Sequence, residues 1–267
     1  DLQVEAISKL GLEAAARQAR YAAFTANLHP GEVLFTAQHA NDQAETVITQ
    51  LLRGGGVAGL AAMPQIKAFA NSMHARPLLT ILRQDLEIYA KENKLQWIED
   101  PSNNDIKYAR NAVRHNIMPQ LENIRAGAVT TINRVAENCS DALVCLNALA
   151  EIDAANVVLS VGEISISSFV QLDTARQSNL LRYLCALWNI APMQKKHFIQ
   201  FATLITAEVD KMPHLRWGDA IARRYRDVIY IEHYAAPCAG FDVEWDLQSD
   251  LHLDNGLTLD ANKYNQH

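Results

Sequence analysis

Two carboxylates, several arginines and one histidine stand at spacings that suit chemistry on a charged substrate. Asp42 and Glu45 lie three residues apart in HANDQAET at 39–46, a separation that puts both on one face of a helix. Such a pair can hold a cation, either an ammonium group or Mg²⁺. At a helix start it also complements the positive end of the dipole. The same residues could simply cap the helix, with Asn41 or Asp42 as N-cap and Glu45 as its capping partner. Arg110 and Arg114 lie four apart in YARNAVRH. Their guanidinium forks match the geometry of phosphate, although a solvated basic face would read the same way. His39 closes a strand, where open parallel sheets place ligands, and could contact nucleotide phosphate or orient the acidic loop. Arg17 and Arg20 share LEAAARQARY, and Arg216, Arg223, Arg224 and Arg226 share RWGDAIARRYR. Arginines interleaved with aromatics suit RNA backbone contact and base stacking.

These residues need elements to hold them. An alanine-rich helix is predicted over 11–29 and a strand over 32–39. A helix from about residue 43 carries an apolar stripe of Ala44, Val47, Ile48, Leu51 and Leu52. Gly54-Gly55-Gly56 follow this helix rather than precede one, which makes them a helix exit, not a phosphate loop. A further strand over 75–81, an amphipathic helix over 83–95, a polar turn over 97–104 and a helix over 108–124 interrupted near Pro119 complete an α/β pattern. Helices are predicted over 127–152, 168–190 and 194–209. A small strand is expected within 157–166, and short strands over 215–217 and 221–231. Residues 241–259 alternate around Asn255-Gly256, a hairpin turn signal.

The 267 residues suit two domains. A composition of 49% hydrophobic and 20% charged residues supports a packed core rather than disorder. No run of eighteen apolar residues occurs, so no membrane span is expected. The net charge of −6 argues weakly against nucleic acid binding by the chain as a whole. Its distribution differs: residues 107–134 and 211–226 are each +4 (five basic residues, one acidic), so the remainder is −14. Cys139, Cys145, Cys185 and Cys238 form no CxxC, and no histidine cluster has metal-ligand spacing. Buried free thiols in a reducing cytosol, with no metal held by the chain, are the expectation.

The motifs together resemble one family. HxNDQAET followed by LLRGGG and GL, WIEDPSNNDIKYARNAVRH beside the pattern WxxDPSN…YxRNxxRH, and LEAAARQARY beside LEARARxxRY are similar to signatures of the tRNA(Ile)-lysidine synthetases, which are PP-loop ATP pyrophosphatases. In the last motif Ala15 or Ala16 replaces the first arginine. RQSNLLRYLCALW and PHLRWGDAIARRYRDVIYI resemble that family's substrate-binding domain. The resemblance runs from about residue 10 to 260. It implies an incomplete, Rossmann-like parallel-sheet PP-loop ATPase domain over 1–125. A mainly helical tRNA-binding domain over 126–235 follows, then a linker and the start of a truncated C-terminal domain over 236–267.

The resemblance also implies an activity. ATP and Mg²⁺ would adenylate the wobble cytidine of the CAU anticodon of tRNA(Ile), and L-lysine would displace AMP to give lysidine, in the cytoplasm. Asp42 and Glu45, with Arg17 and Arg20, would line the lysine pocket, and His39 would lie near the nucleotide. Arg110 and then Arg114 would be the catalytic arginines. Arg216, Arg223, Arg224 and Arg226 would meet tRNA. The family's SGGxDS phosphate loop occurs nowhere in these residues. The chain is therefore expected to be an incomplete piece, inactive when taken alone. The rival readings are another PP-loop tRNA-modifying enzyme and a non-catalytic RNA-binding derivative. A thiolation enzyme is disfavoured because no cysteine precedes Cys139.

Overall fold

The computed structural model describes residues 12–98, 107, 109–207, 213–234, 245, 250–252 and 258–259. The chain splits into two compact units, Asp1–Ala148 and Leu149–His267, each with its own apolar core.

In the first unit, α1 (Leu12–Asn27) ends ahead of Pro30-Gly31, and β1 (Val33–Phe35) follows. Gly31 has φ +87°, a turn conformation that glycine adopts without strain. β1 is shorter than the expected 32–39, because the chain must leave the sheet to start α2 (Ala40–Leu52). Ala40, Ala44 and Val47 are buried on α2, whereas Leu51 and Leu52 are exposed and leave the expected stripe. The triglycine is a helix exit, as expected. Gly54 takes φ +72°, and a Cβ on Gly55 would meet the Gln50 carbonyl oxygen at 2.8 Å. A short α3 (Val57–Leu60) comes next.

β2 (Ile66–Phe69) and β3 (Ser72–Ala75) form an antiparallel hairpin, and β3 also pairs in parallel with β1, Leu34 facing His74. The expected strand over 75–81 thus lies earlier. Pro77 has no N–H for a ladder, and the chain turns through Leu79 N→Arg76 O (3.2 Å) and Ile81 N→Leu78 O (2.9 Å). β2 carries no turn signal of the usual kind, since its hairpin places Ala70 at φ +50°.

α4 (Arg83–Glu92) is followed by a continuous but irregular helix. α5 (Ala109–Ala112) opens into a π turn (Val113–Ile117), then α6 (Met118–Ile124). The Met118 amide bonds Val113 O, five residues back, and Pro119 sits in the first turn of α6. The interruption expected near Pro119 is therefore a widened turn, not a break. α7 (Ala128–Val157) opens on Gly127, and Glu122 accepts from the Gly127 and Val129 amides at 2.9 Å each. Those backbone donors, Val129 first, hold the Glu122 carboxyl below its usual range. Ala40, Ala44, Val113, Met118 and Val129 form the core of this unit.

The second unit is less helical than expected. β4 (Val158–Ser160), β5 (Glu163–Ser165), β6 (His214–Trp217), β7 (Ala220–Tyr225) and β8 (Val228–His233) form one antiparallel sheet in the order β4-β5-β8-β7-β6. The single strand expected over 221–231 is two, split where Arg226 takes φ +52°. α8 (Ile166–Phe169), α9 (Thr174–Leu187) and α10 (Lys195–Thr206) complete the unit. Leu180, Leu184 and Phe201 share its core with Ile164, Trp217, Ala222 and Ile229. Asp227 ties the β7–β8 turn to α8 by accepting from Ser167 N (3.1 Å) and Ser167 Oγ (2.7 Å). β9 (Leu251–His252) pairs with β10 (Thr258–Leu259), on either side of Asn255-Gly256, which lie outside the described residues. So does most of the polar turn over 97–104.

Among the described cysteines only Cys185 is buried, and burial pushes its thiol up to about 11. Cys139 is half-buried and Cys145 exposed on α7, so burial does not extend to all four. Cys238 lies outside the described residues. No described helix is long and apolar enough to cross a membrane.

Candidate active site

The start of α2 is built by a histidine. His39 has extended φ and ψ and its Nδ1 accepts from the Asp42 amide at 3.4 Å, while Asp42 Oδ2 accepts from the His39 amide at 3.0 Å. This is a capping box with Asp42 at its third position. The N-cap is therefore His39 rather than Asn41 or Asp42, and Glu45 takes no part in the cap. Burial lowers the His39 pKa despite the nearby Asp42 and Glu45, so the ring is neutral and can accept.

Each residue around the carboxylates has its own task. Asn41 Oδ1 accepts from Arg83 N (2.9 Å) at the start of α4. Gln43 bonds both Met63 O (2.9 Å) and Met63 N (3.0 Å), fixing the loop after α3. Ala44 is buried, and Thr46 and Thr49 turn their hydroxyls back to Asp42 O and Glu45 O at 2.7 Å each. Asp42 and Glu45 are themselves buried, at 9% and 2% exposed, and their carboxylates turn to two arginines.

Both meet Arg110 and Arg114. Arg110 donates from Nε to Glu45 Oε2 and from Nη2 to Asp42 Oδ1, each at 2.9 Å. Arg114 donates from Nε to Glu45 Oε1 at 2.6 Å, and from Nη2 to Glu45 Oε2 at 3.0 Å and Asp42 Oδ1 at 3.1 Å. The two carboxylates and two guanidinium groups sum to zero charge. The hydrogen bond to Glu45, ahead of its charge, raises the Arg114 pKa. Such a cluster can exchange a guanidinium for another cation without leaving the carboxylates bare. It also keeps two arginines where an oxyanion would find them.

Four of the residues expected to act thus come together, with His39 beside them as the cap. No described hydrogen bond or ion pair joins Arg17 or Arg20 to this cluster. Both are exposed on α1, and the Arg17 guanidinium lies 4.8 Å from the Tyr21 ring centre. Tyr21 in turn packs against His74, at 5.9 Å between rings. His74 and Arg76 are both buried, and no reading of the sequence singled them out. Their only signal is two cationic residue types flanking Ala75 just before a proline.

In the second unit the four arginines divide. Arg216 is exposed and stacks on Tyr234, 3.4 Å from the ring centre. Arg223 is exposed and pairs with Glu232 across the sheet. Arg226 lies over Tyr225 at 5.1 Å. Arg224 is turned inward: its Nη1 donates to Ala207 O (2.6 Å) and Ile205 O, and its Nε to Arg226 O (3.2 Å). It closes the carbonyl end of α10, and its guanidinium is occupied there.

Residues 1–121 match the PP-loop domain and residues 164–230 the TilS substrate binding domain. Curated proteins named tRNA(Ile)-lysidine synthase align with nearly the whole chain. That of Methylococcus capsulatus is 39% identical over 249 residues, covering 91% of this chain and 56% of the relative. That of Alkalilimnicola ehrlichii is 39% identical over 94% of this chain and 57% of the relative. For Coxiella burnetii the identity is 36%, over the same two shares of 94% and 57%. The chain belongs to the tRNA(Ile)-lysidine synthase family. It spans about half the length of the curated relatives it matches. The acid–arginine cluster falls within the part matched to the PP-loop domain, an ATP-using family, and Arg216–Arg226 within the TilS substrate binding domain.

The described residues offer Mg²⁺ a poor fit. Among them no group of three His, Cys, Asp or Glu side chains could hold a metal ion. Asp42 and Glu45 already bond two guanidinium groups, and a hard divalent cation wants several oxygens of its own.

Proposed function

We propose that this chain is the lysine- and tRNA-handling part of a tRNA(Ile)-lysidine synthase. ATP adenylates the wobble cytidine of a CAU anticodon: a bond forms between the base oxygen and the α-phosphorus, and pyrophosphate leaves. The lysine amine then forms a bond to the ring carbon as AMP leaves. Asp42 and Glu45 hold the cationic end of lysine. Arg110 and Arg114 neutralise charge on the phosphate and on departing pyrophosphate, where preorganised donors act most strongly. His39 holds the start of α2, and so the direction of both carboxylates. Mg²⁺ enters this proposal only with the nucleotide, and no step here runs through it. In the second unit Arg216, Arg223 and Arg226 present charge beside exposed Tyr225 and Tyr230 for tRNA. We place this tRNA- and ATP-using enzyme in the cytoplasm.

The observation that carries the reading is the neutral cluster of Asp42, Glu45, Arg110 and Arg114. It pairs a cation-holding set with an anion-holding set in one place, as the joining of lysine to an adenylated base requires. The test incubates the gene's complete product with ATP, Mg²⁺, labelled lysine and tRNA bearing the CAU isoleucine anticodon, with methionine tRNA as control. Label on the isoleucine tRNA alone is the expected result. Bound tRNA without label would favour a non-catalytic RNA-binding protein.

A further inference from the structure

One buried polar group in the first unit has no part in the cluster just described. Arg76 is 2% exposed and His74 is fully buried. Arg76 donates from Nη1 to Pro64 O at 2.8 Å. Among the described residues none of its partners is a carboxylate, and its Nε has no partner. A buried guanidinium without a counter-charge is costly, so its position calls for a reason.

The hydrogen bonds around it give one. Arg76 Nη2 lies 3.2 Å from His74 Nδ1, His74 Nε2 lies 2.7 Å from Thr36 Oγ1, and Thr36 Oγ1 bonds Gln38 Oε1. Arginine only donates. His74 Nδ1 must therefore accept, which puts the ring proton on Nε2. Nε2 then donates to Thr36, and the Thr36 hydroxyl proton goes to Gln38 Oε1. Burial and the nearby Arg76, Lys67 and Arg17 lower the His74 pKa, consistent with a neutral ring. The direction of every proton is set at Arg76, and the chain of bonds emerges at Gln38.

Gln38 stands in the connection from β1 to α2, next to His39, whose amide is bonded to Asp42. With its oxygen committed to Thr36, its amide nitrogen is the end that remains for a ligand.

We propose that Arg76, His74 and Thr36 are positioning residues that hold the Gln38 side chain by its oxygen, so that its N–H₂, one residue before the N-cap of the helix that carries Asp42 and Glu45, is the group that binds a substrate oxyanion. The inference rests on the reading of the acid–arginine cluster as the place where substrates meet. The oxyanion is either the carboxylate of lysine or a phosphate oxygen of the nucleotide. A fixed amide donor tells an oxygen from an ammonium group at a site that must bind both signs of charge. In a freely rotating glutamine the oxygen could face the ligand as readily.

The test uses the gene's complete product and measures KM and kcat for lysine and for ATP separately, with melting temperature alongside. Gln38→Leu removes the donor, and Thr36→Val removes the hydroxyl that aims it with little change of shape. Each is expected to raise one of the two KM values about tenfold, the loss of one hydrogen bond to a charged group. The other KM and kcat should stay within about twofold, a conventional measure of no effect. Thr36→Ser restores the hydroxyl and should restore KM. Which KM rises identifies the oxyanion. If both variants lower the melting temperature and kcat while leaving both KM values unchanged, the bonds are only structural and the inference is overturned. A His74 ring protonated on Nδ1 in its nitrogen NMR spectrum would also overturn it, whatever the activity. If the wild-type protein makes no lysidine, the functional reading falls. The Nε2–H tautomer would then still decide whether the relay exists.

Discussion

Both units bury a carboxylate against arginine, and they do so in different ways. In the second unit Asp153 on α7 is 1% exposed, and its ion-pair partner among the described residues is Arg176 on α9 alone. Removing Arg176 takes away the one counter-charge that the described residues offer it. In the first unit each of two carboxylates meets both of two arginines. One guanidinium can swing away while the other still satisfies Asp42 and Glu45. A one-to-one pair is a clasp. A two-to-two cluster tolerates exchange, and exchange is what a site needs when a substrate cation must enter and a substrate anion must be met.

Measurements can break this comparison, and the largest effect should come at Glu45. Glu45→Ala strips both arginines of their main acceptor and should destabilise the first unit by about 3 kcal/mol, read by urea denaturation, with lysine binding lost. Asp153→Ala should lower stability as well, yet leave lysine affinity in the folded protein unchanged. Equal loss of lysine affinity in both would erase the distinction.

A double-mutant cycle sharpens it next. Arg110→Ala and Arg114→Ala should each cost about 1 kcal/mol, because the remaining arginine holds both carboxylates. The double variant should cost more than their sum by about 1–2 kcal/mol, the coupling of residues that share partners. Additive losses would mean that the two arginines act separately.

Within the second unit, Arg224 and Arg223 are neighbours with opposite expected behaviour. Arg224→Met should lower stability by about 1 kcal/mol through loss of hydrogen bonds at the end of α10, with no change in the salt dependence of tRNA binding. Arg223→Gln should barely change stability, since its ion pair with Glu232 is exposed. It should reduce the slope of log affinity against log salt by about 1.

The smallest effect is in pH. His39 and His74 have pKa values lowered below the ordinary 6.5, each by burial first. The unfolded chain then takes up protons before the folded one does. Stability from these groups is full above about 6.5 and is lost as pH falls through the lowered folded values. Denaturation midpoints measured from pH 7.5 down to 5 should fall, and His74→Gln should flatten the curve. A midpoint that rises on acidification would contradict the neutral state of both rings.

How much of this was legible in the sequence depends on range. The spacing of Asp42 and Glu45 shows that they share a face, because an α-helix fixes that locally. Their pairing with Arg110 and Arg114 spans 65 to 72 residues, and no local pattern carries it. Spacings of three in one pair and four in the other were compatible with the meeting but did not require it. The pattern points to Asn41 or Asp42 as the N-cap because both are usual capping types, whereas histidine is not. Leu78, Leu79 and Ile81 look like strand and draw the expectation past β3, although Pro77 cannot join a ladder. Arg224 looked like its neighbours Arg223 and Arg226. Its inward face follows from strand alternation, which places it on the same side as Ala220 and Ala222.

The π turn at Val113–Ile117 works as one extra letter in the helix. Val113 and Met118 both reach the core although they are five residues apart, a spacing that a regular helix would put on different sides. Each residue of an α-helix advances the chain by about 100°. Deleting one residue between His115 and Ile117 would leave Val113 and Met118 four apart, still on one face of an ordinary helix; closing the turn with every residue kept would instead rotate everything after it by about 100°. Met118 and Leu121 would rotate away from α2 while Arg110 and Arg114 stayed in place. A shift that in a gene scrambles the message downstream would here scramble a face, leaving the site's arginines intact on a helix that no longer knows where to lie.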